Sequence, residues 1–418
     1  MNTSQKILKI LLENRGRYIS GTEIGRRLGI SCSAVSRNIS SLKERDLTVE
    51  SNPGQGHCFT ELPEGLHPDI LMLKIKDTIP DLEFQYREKV ESTNTLLKQI
   101  ASQQSQASFS SCQDILLLAG EQTAGRGRRN RSWDSPRSQG LYFSLLLYPD
   151  INSDRAPLLT GLTSLALERA LKQHGFPVQL KWPNDLLLAG RKVAGILAEV
   201  STDLDRVSHV IIGVGLNTTR TSFPRELENQ ATSLQKYLQQ RPGGNDTIEH
   251  VKKEVVKIEN LQEKSQKISQ ISSRENPNLK PDEITEKSYE NIPEEISGET
   301  TDETPLESSP ESPKETHRET PIKKPQKTPA EIPEEEILLD FLREFYQLLD
   351  LFTTGREAEV ITDWKTSLQI IGEEITISTG TQEIRGEVQD ISQRGELVLQ
   401  TEKGEEQRFW AGDVTVIG

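Results

Sequence analysis

Four arginines surround two glycines in the segment EQTAGRGRRNRSW, which covers residues 121–133. The glycines at 125 and 127 let the backbone approach a ligand closely and adopt torsions that other residues avoid. Guanidinium groups match phosphate and carboxylate in a bidentate geometry, and Trp133 offers a flat face for stacking. These residue types predict a flexible anion-binding loop. The alternative on composition alone is a solvated basic loop or a nucleic-acid patch.

Two further segments combine glycine with amide and charged side chains. KWPND at 181–185 precedes GRKVAGILAE at 190–199, and Pro-Asn-Asp predicts a turn between two strands, with Lys192 near the start of the second strand. Taken alone, this pair is equally typical of an ordinary hairpin, and a lone lysine there is usually a solvated charge. GVGLN at 213–217 predicts a glycine-bearing strand end that closes on the amide of Asn217, a weak signal in isolation.

The elements that position these segments alternate between apolar strands and helices. Strand-like runs such as 115–119 and 210–214 are separated by helix candidates over Ser92–Ala101 and Arg155–His174. We therefore predict an α+β class, with one mixed-sheet α/β domain over residues 80–240.

The first 66 residues predict a winged helix-turn-helix. Of three amphipathic helices, the second is capped by Ser20 and closed by Gly29, and the third is opened by Ser31 or Ser33. Short apolar runs on both sides of the turn at 52–56 predict a two-stranded wing. This region carries a modest positive charge, since its first 60 residues hold 9 Lys/Arg and 5 Asp/Glu.

Candidate DNA contacts lie on the third helix. Base edges would be read by Ser33, Ser36, Arg37 and Asn38. Phosphates would be bound by Lys43, Arg45, Arg26 and Arg27. The alternative is a winged domain that only supports the rest of the chain or a contact between subunits.

The formal net charge of −14 is concentrated in one stretch of the 418-residue chain. Residues 241–336 hold 23 Asp/Glu, 14 Lys/Arg and a single aromatic, Tyr289, and end in near-repeats rich in Pro, Glu and Thr. We expect a mostly disordered acidic insert, with one amphipathic helix around 248–258. Order is expected to return at 337–366, whose first part, Ile337–Phe352, predicts a helix. Short strands then predict a small β-barrel over 367–418.

The cysteine count and the hydropathy pattern bear on compartment. Cys32, Cys58 and Cys112 are sparse, odd in number and without metal-ligand spacing, which fits a reducing cytosol. The N-terminus has charges at helical spacing, and no apolar run approaches the roughly 20 residues that cross a bilayer. We expect a soluble, cytoplasmic chain with no signal peptide, no membrane partner and no metal held by its own side chains.

Taken together, the motifs resemble the bifunctional, repressor-bearing biotin–protein ligases. The winged helix, the trailing helix and a small SH3-like C-terminal β-barrel fit that architecture. One departure is Asn130, where the family usually has glycine, and the larger one is the insert. The matching motifs stand in family order, at ESTN 91–94, GRGRR 125–129, Trp133, KWPND 181–185, GRK-AGIL 190–197, G-G-N 213–217 and ATSL 231–234.

The resemblance implies an ATP-dependent ligase that forms biotinyl-5′-AMP, with Mg²⁺ on the triphosphate, and transfers biotin to a lysine of a biotin carboxyl carrier protein. Lys192, Arg126 and Arg128 would be catalytic. The adenylate-bound chain would form a homodimer that binds operator DNA and represses biotin synthesis genes. Biotin would be bound by Ser92, Thr93, Asn94, Gln122, Gly125, Arg126, Arg128 and Lys192. The nucleotide would be bound by Arg129, Arg131, Trp133 and Asn217.

Two other functions stay open at this point. One is a lipoate or octanoate ligase of the same fold, and the other is a ligand-sensing transcription regulator whose ligase domain is inactive.

Overall fold

The computed structural model describes residues 1–104, 112–241, 332–380 and 382–417. The expectations for the insert, including the helix around 248–258, lie outside these residues. Within the described ranges, no helix is long and apolar enough to cross a membrane.

The N-terminal region folds as the sequence predicts. Ser20 caps the second helix by accepting from the Glu23 amide at 3.1 Å, Gly29 ends it at φ 67°, and Ser31 caps the third helix. The second and third helices are joined by only three residues, and two of these, Gly29 and Ser31, are the caps that end one helix and begin the next. The elements are α1 (Thr3–Glu13), α2 (Gly21–Leu28), α3 (Cys32–Lys43), β1 (Thr48–Asn52) and β2 (Gly56–Glu61).

A fourth helix, α4 (Pro68–Thr78), extends this region and was not predicted. His67 caps it and Pro68 stands in its first turn, an arrangement typical of helix starts. Ile70 and Leu73 of α4 pack into the same buried cluster as the three preceding helices. The helix therefore belongs to the core of the winged domain.

The central region is a seven-stranded sheet in the order β3-β4-β5-β9-β8-β7-β6. Only β3 and β4 are parallel, so the predicted mixed sheet is confirmed. Its strands are β3 (Glu83–Arg87), β4 (Ile115–Ala119), β5 (Gly140–Leu147), β6 (Val178–Lys181), β7 (Asp185–Leu188), β8 (Arg191–Asp203) and β9 (Arg206–Asn217). Its helices are α5 (Thr93–Gln104), α6 (Leu158–Gln173) and α7 (Leu234–Gln240).

Alternation along the strands gives the sheet two different faces. Phe143 of β5 packs against Phe341, with ring centroids 5.2 Å apart, whereas Leu146 packs into a cluster with Leu97 of α5. Because side chains of one strand alternate in direction, Ser144 shares the α5 face with Leu146. The polar residues and glycines of the neighbouring strands on that face form the wall of a cleft.

The chain after the insert adds two helices and a small β-domain. The predicted helix at Ile337–Phe352 is α8 (Glu334–Thr353), and α9 (Glu357–Leu368) follows it. The antiparallel strands after α9 are β10 (Glu374–Ser378), β11 (Glu383–Ile391), β12 (Leu397–Thr401), β13 (Glu406–Phe409) and β14 (Asp413–Val416). They pair in the order β13-β12-β11-β10-β14. The expected small C-terminal β-domain is confirmed as an antiparallel sheet, but in the part of it that the structure describes β13 and β14 are end strands that do not pair, so the predicted barrel is not closed.

Candidate functional site

A cleft of about 760 Å³ lies on the α5 side of the sheet. Its walls come from the start of α5, the arginine-rich loop, strands β8 and β9 and strand β14. Residues singled out in the sequence that line it are Ser92, Thr93, Asn94, Gln122, Arg126, Arg128, Arg129, Arg131, Trp133, Lys192 and Asn217.

Three glycines form the floor of the cleft. Gly195 of β8 is paired with Gly215 of β9, and Gly213 lies two residues before Gly215 on the same face. A Cβ at Gly215 would lie 2.3 Å from Trp133 Nε1, and one at Gly213 would lie 2.2 Å from Asn94 Oδ1. The spacing of GVG therefore clears one face of the sheet, and the Trp133 indole occupies part of the space.

One end of the cleft is a buried polar network. The backbone amide and the hydroxyl of Thr93 both donate to Gln122 Oε1, at 2.9 and 3.1 Å. Ser144 Oγ lies 2.6 Å from Thr93 Oγ1 and 2.7 Å from Asn94 Oδ1. Thr93, Asn94 and Ser144 are almost fully enclosed, and buried polar groups are stable only when paired. The network holds fixed donors and acceptors at this end.

The arginine-rich loop folds back on itself. The amide of Trp133 donates to Gly125 O at 2.8 Å, and a Cβ at Gly125 would lie 2.3 Å from Trp133 O. Arg129 and Asn130 both have left-handed backbones, with φ of 53° and 58°. Asparagine tolerates this region better than most residues, which explains how it stands where glycine is usual.

Two cations of the cleft are held by the KWPND turn. Arg128 Nη1 donates to Asn184 Oδ1 at 2.8 Å, and Lys192 Nζ lies 2.6 Å from Asp185 Oδ1. Burial, reinforced by the neighbouring Arg129 charge, lowers the pKa of the Arg128 guanidinium. Lys192 Nζ also lies 5.5 Å from the centre of the Trp133 ring. Both cations are therefore positioned beside the glycine floor.

The remaining loop arginines contact carboxylates at the rim. Arg131 Nη2 lies 2.6 Å from Asp413 Oδ2, and Arg129 lies 3.4 Å from the same oxygen. Arg126 pairs with Glu199 at 3.0 Å, and Glu199 also accepts from Asn94 Nδ2 at 3.0 Å. The loop is thus tied both to the polar network and to the C-terminal β-domain.

Three family models match the chain in the order of its architecture. The Biotin/lipoate A/B protein ligase family matches residues 86–217, an HTH domain matches 3–57, and the biotin protein ligase C-terminal domain matches 370–416. The bifunctional ligase/repressor BirA of Bacillus spizizenii is 32% identical over 248 residues, which are 59% of this chain and 74% of that protein. The chain belongs to the bifunctional biotin–protein ligase family.

Other known proteins are similar over comparable stretches. The bifunctional ligase/repressor BirA of Escherichia coli is 32% identical over 55% of this chain and 68% of its own length. The solved biotin protein ligase from Aquifex aeolicus in complex with biotin and ATP is 23% identical, with a TM-score of 0.47, over 80% of this chain and 98% of its own.

Within this biotin–protein ligase, the predicted ligand residues converge on one cleft, with two qualifications. Gly125 acts through its backbone, which closes the loop on Trp133. The side chain of Asn217 is buried and donates to Thr232 O at 3.1 Å, so it also holds the ATSL segment against β9.

Several residues of the cleft, and Ser144 of the buried polar network, were not singled out from the sequence. Ser144 had a usable signal, since it is the one polar residue inside the apolar strand LYFSLLL. Asn184 and Asp185 belong to a motif that was recognised, although only Lys192 received a role. Arg220 and Asp413 had no local signal at all, because their importance comes from tertiary contacts.

The candidate DNA-reading residues are divided by the fold. Ser33, Ser36 and Arg37 are exposed on α3. Asn38 is half-buried, accepts from Ser4 Oγ at 2.6 Å and donates to Ala34 O at 2.8 Å. Its side chain therefore joins α3 to α1. Of the other three, Ser33 Oγ lies 2.9 Å from Ser31 Oγ and Ser36 Oγ donates to Cys32 O at 3.1 Å, so these two hydroxyls make local bonds on the predicted reading face.

Proposed function

We propose that this chain activates biotin with ATP to biotinyl-5′-AMP and transfers the biotin to a lysine of a biotin carboxyl carrier protein. The observation that carries the proposal is the cleft itself. It combines a fixed polar network around Thr93, Asn94 and Gln122 with two half-buried cations, Arg128 and Lys192, that lie beside the glycine floor. A ureido ring at the first end and a carboxylate with a phosphate at the second would match these groups.

In the first step, a carboxylate oxygen attacks the α-phosphate and pyrophosphate leaves. Both reactants are anionic, so cations must offset their repulsion and stabilise the charge that develops on phosphorus. Lys192 and Arg128 are held in the cleft by Asp185 and Asn184, so little reorganisation is needed when the reactants arrive. Arg126 supports the carboxylate end of the same set.

Mg²⁺ fits the donor set as an ion carried largely by the triphosphate. It prefers oxygen ligands and is commonly held by one or two carboxylates together with substrate phosphates. Asp185 is the carboxylate of the cleft closest to Lys192. Carried on the triphosphate, the ion would offset the charge of the leaving pyrophosphate, and Asp185 would stay paired with Lys192.

In the second step, the carrier's lysine amine attacks the biotinyl carbonyl and AMP leaves. The mixed anhydride must be kept from water until then. The loop at 125–131 covers it, and Arg129 and Arg131 hold the loop to Asp413 of the β-domain. Trp133 and Asn217 would contact the adenylate's nucleotide end.

The direct test is the product. A purified biotin carboxyl carrier protein is incubated with the chain, ATP, Mg²⁺ and biotin, and the carrier is analysed by mass spectrometry. One biotinyl group at one lysine is expected. Lipoate and octanoate are run beside biotin, and preferential transfer of either would favour the lipoate-type ligase instead. Tight biotin binding without transfer to any acceptor would favour a ligand-sensing regulator.

The winged domain supports a second role as a biotin-responsive repressor. We assign DNA binding to residues 1–66, ligation to 80–240 with 337–366, and loop retention to 367–418, with 241–336 as an insert. The basic charge of one winged domain is too small for tight DNA binding, and a homodimer would double it. Selection from a random-sequence duplex pool, with and without biotinyl-5′-AMP, tests this role. Enrichment of a two-fold symmetric site only with the adenylate is expected.

A further inference from the structure

Arg220 is a buried guanidinium in the wall of the cleft that the proposed reaction does not use. Its side chain is 7% exposed, and its Nη2 lies 2.7 Å from Asp134 Oδ2. Its Nε donates to Ser222 O at 2.7 Å, and its guanidinium carbon stands 4.5 Å from the centre of the Phe223 ring. A buried cation is stable only when it is paired, so the contact with Asp134 is a strong constraint.

The surroundings of Arg220 make it a fixed point. Its backbone carbonyl accepts from Ser233 Oγ, which also caps α7 by accepting from the Lys236 amide at 2.9 Å. Lys236 Nζ lies 5.4 Å from the centre of the same Phe223 ring. The guanidinium is therefore fixed by Ser222 and Phe223, and the Arg220 backbone is fixed by Ser233 of the ATSL motif.

Asp134 is the other half of the contact and directly follows Trp133. On one side of it, Trp133 lies on the floor made by Gly195 and Gly215. On the other side, Ser135 is held by Gln122, whose amide nitrogen donates to Ser135 Oγ at 2.8 Å. The segment is thus secured at the polar-network end by Gln122, and at the indole end by Asp134.

We propose that Arg220 is a positioning residue that acts through Asp134 to hold Trp133 in place for the nucleotide. This proposal rests on the proposed function, because it assumes that ATP occupies the cleft beside Trp133. The ion pair fixes the indole before ATP arrives, whereas the biotin end depends on Gln122 and Ser135. Loss of the pair therefore weakens ATP binding selectively.

Steady-state kinetics of the full chain separates the two ends of the cleft. For Asp134→Asn, we expect the KM for ATP to rise on the order of tenfold, with the KM for biotin within about twofold of the wild type. Arg220→Lys keeps the charge and is expected to retain part of the effect. Arg137 lies three residues after Asp134 and forms an exposed ion pair with Glu88. Arg137→Gln breaks that pair and serves as the matched control, for which neither KM should change.

A double-mutant cycle tests whether the effect passes through the indole. In a Trp133→Ala background, Asp134→Asn is expected to add little to the KM for ATP, because residues that act as a unit are not additive. Two outcomes overturn the proposal. One is an equal rise of both KM values in folded Asp134→Asn. The other is a rise in Arg220→Lys but none in Asp134→Asn, which would make Arg220 a direct ligand.

The wild-type control keeps this test apart from the proposed function. If the wild type shows biotin-dependent turnover and the Asp134 variant keeps its KM for ATP, only the positioning role fails. Absence of wild-type turnover would contradict the proposed function instead. Thermal unfolding followed by circular dichroism establishes that each variant is folded, and Asp134 is 46% exposed, so its substitution is the milder change.

Discussion

Lys192 Nζ lies 2.6 Å from Asp185 Oδ1, and the two residues belong to neighbouring strands of one hairpin, β7 and β8. The sequence alone is equally compatible with a solvated lysine at a strand start. The hairpin register and the Trp133 ring instead bring the ammonium into the cleft. The positions of the two proposed catalytic cations, Lys192 and Arg128, thus depend on the turn formed by Asn184 and Asp185.

The first prediction concerns Lys192. Lys192→Ala removes the cation between the carboxylate and the α-phosphate, so adenylation should slow by roughly a hundredfold or more. Single-turnover formation of biotinyl-5′-AMP measures it. Lys89→Ala, which breaks an exposed pair with Glu121, is the control. A normal adenylation rate in the Lys192 variant would remove its proposed role.

The second prediction concerns retention of the intermediate. Arg128→Gly removes a charged hydrogen-bond donor from the closed loop, so biotinyl-5′-AMP should dissociate about tenfold faster. Free adenylate acylates exposed lysines, and biotin should therefore appear on a bystander such as serum albumin. The measurement is bystander labelling without carrier protein. Unchanged release with normal adenylation would show that another group holds the intermediate.

The third prediction concerns the C-terminal β-domain. Asp413→Ala removes the ion-pair partner of Arg129 and Arg131. Exposed ion pairs of this kind contribute no more than about 1 kcal/mol to stability. Thermal stability should be nearly unchanged, while adenylate release rises about two- to fivefold. High salt should bring the wild type toward the variant, because exposed pairs are screened. Glu406→Ala, which breaks the exposed pair with Arg408, is the control. Salt-independent release of the adenylate in the wild type would show that the pairs of Arg129 and Arg131 with Asp413 do not hold the loop closed.

The fourth prediction concerns pH and Asp114. Burial raises the pKa of this carboxyl, which accepts from the Tyr346 hydroxyl at 3.1 Å. The folded state therefore holds the proton more tightly than the unfolded state. The stability that the protonated group contributes is present at low pH and is lost as pH rises through the raised pKa.

Asp114→Asn cannot titrate, so its stability relative to the wild type should be greater at pH 7 than near pH 4, close to the ordinary pKa of an aspartate. Urea denaturation at both pH values gives this difference. Asp203→Asn, at an exposed hairpin end, is the control for the change from carboxyl to amide. A difference for Asp114→Asn that is the same at both pH values would contradict the effect of burial.

The fifth prediction separates the residues of α3. Arg37→Ala should weaken binding to the selected duplex by about 1–3 kcal/mol, because a contact with a base edge is lost. Asn38→Ala should instead cost about 1 kcal/mol of stability, because its bond to Ser4 joins α3 to α1. Fluorescence anisotropy with the selected duplex and thermal unfolding give the two quantities. The reverse assignment would mean that Asn38 turns outward in the complex.

The sequence predicted the elements that carry strong local signals. Ser20 and Gly29 mark their helix ends by capping. GVG marks a strand face without side chains, although the spacing alone did not show that this face forms the floor of the cleft. Helix α4 was missed despite the signal from His67 and Pro68. Contacts such as Arg131 with Asp413 join residues 282 positions apart, and no local pattern encodes them. The same limit applies to Arg220, which reads as an ordinary loop arginine until its burial is known.

The most direct measurement of the central claim is exchange of labelled pyrophosphate into ATP, with biotin, lipoate or octanoate as the acid. It reports adenylate formation without needing a carrier protein. We expect exchange that depends on biotin and is strongly reduced in Lys192→Ala. Exchange supported by lipoate or octanoate but not by biotin would contradict biotin activation, as would no exchange with any acid despite tight biotin binding.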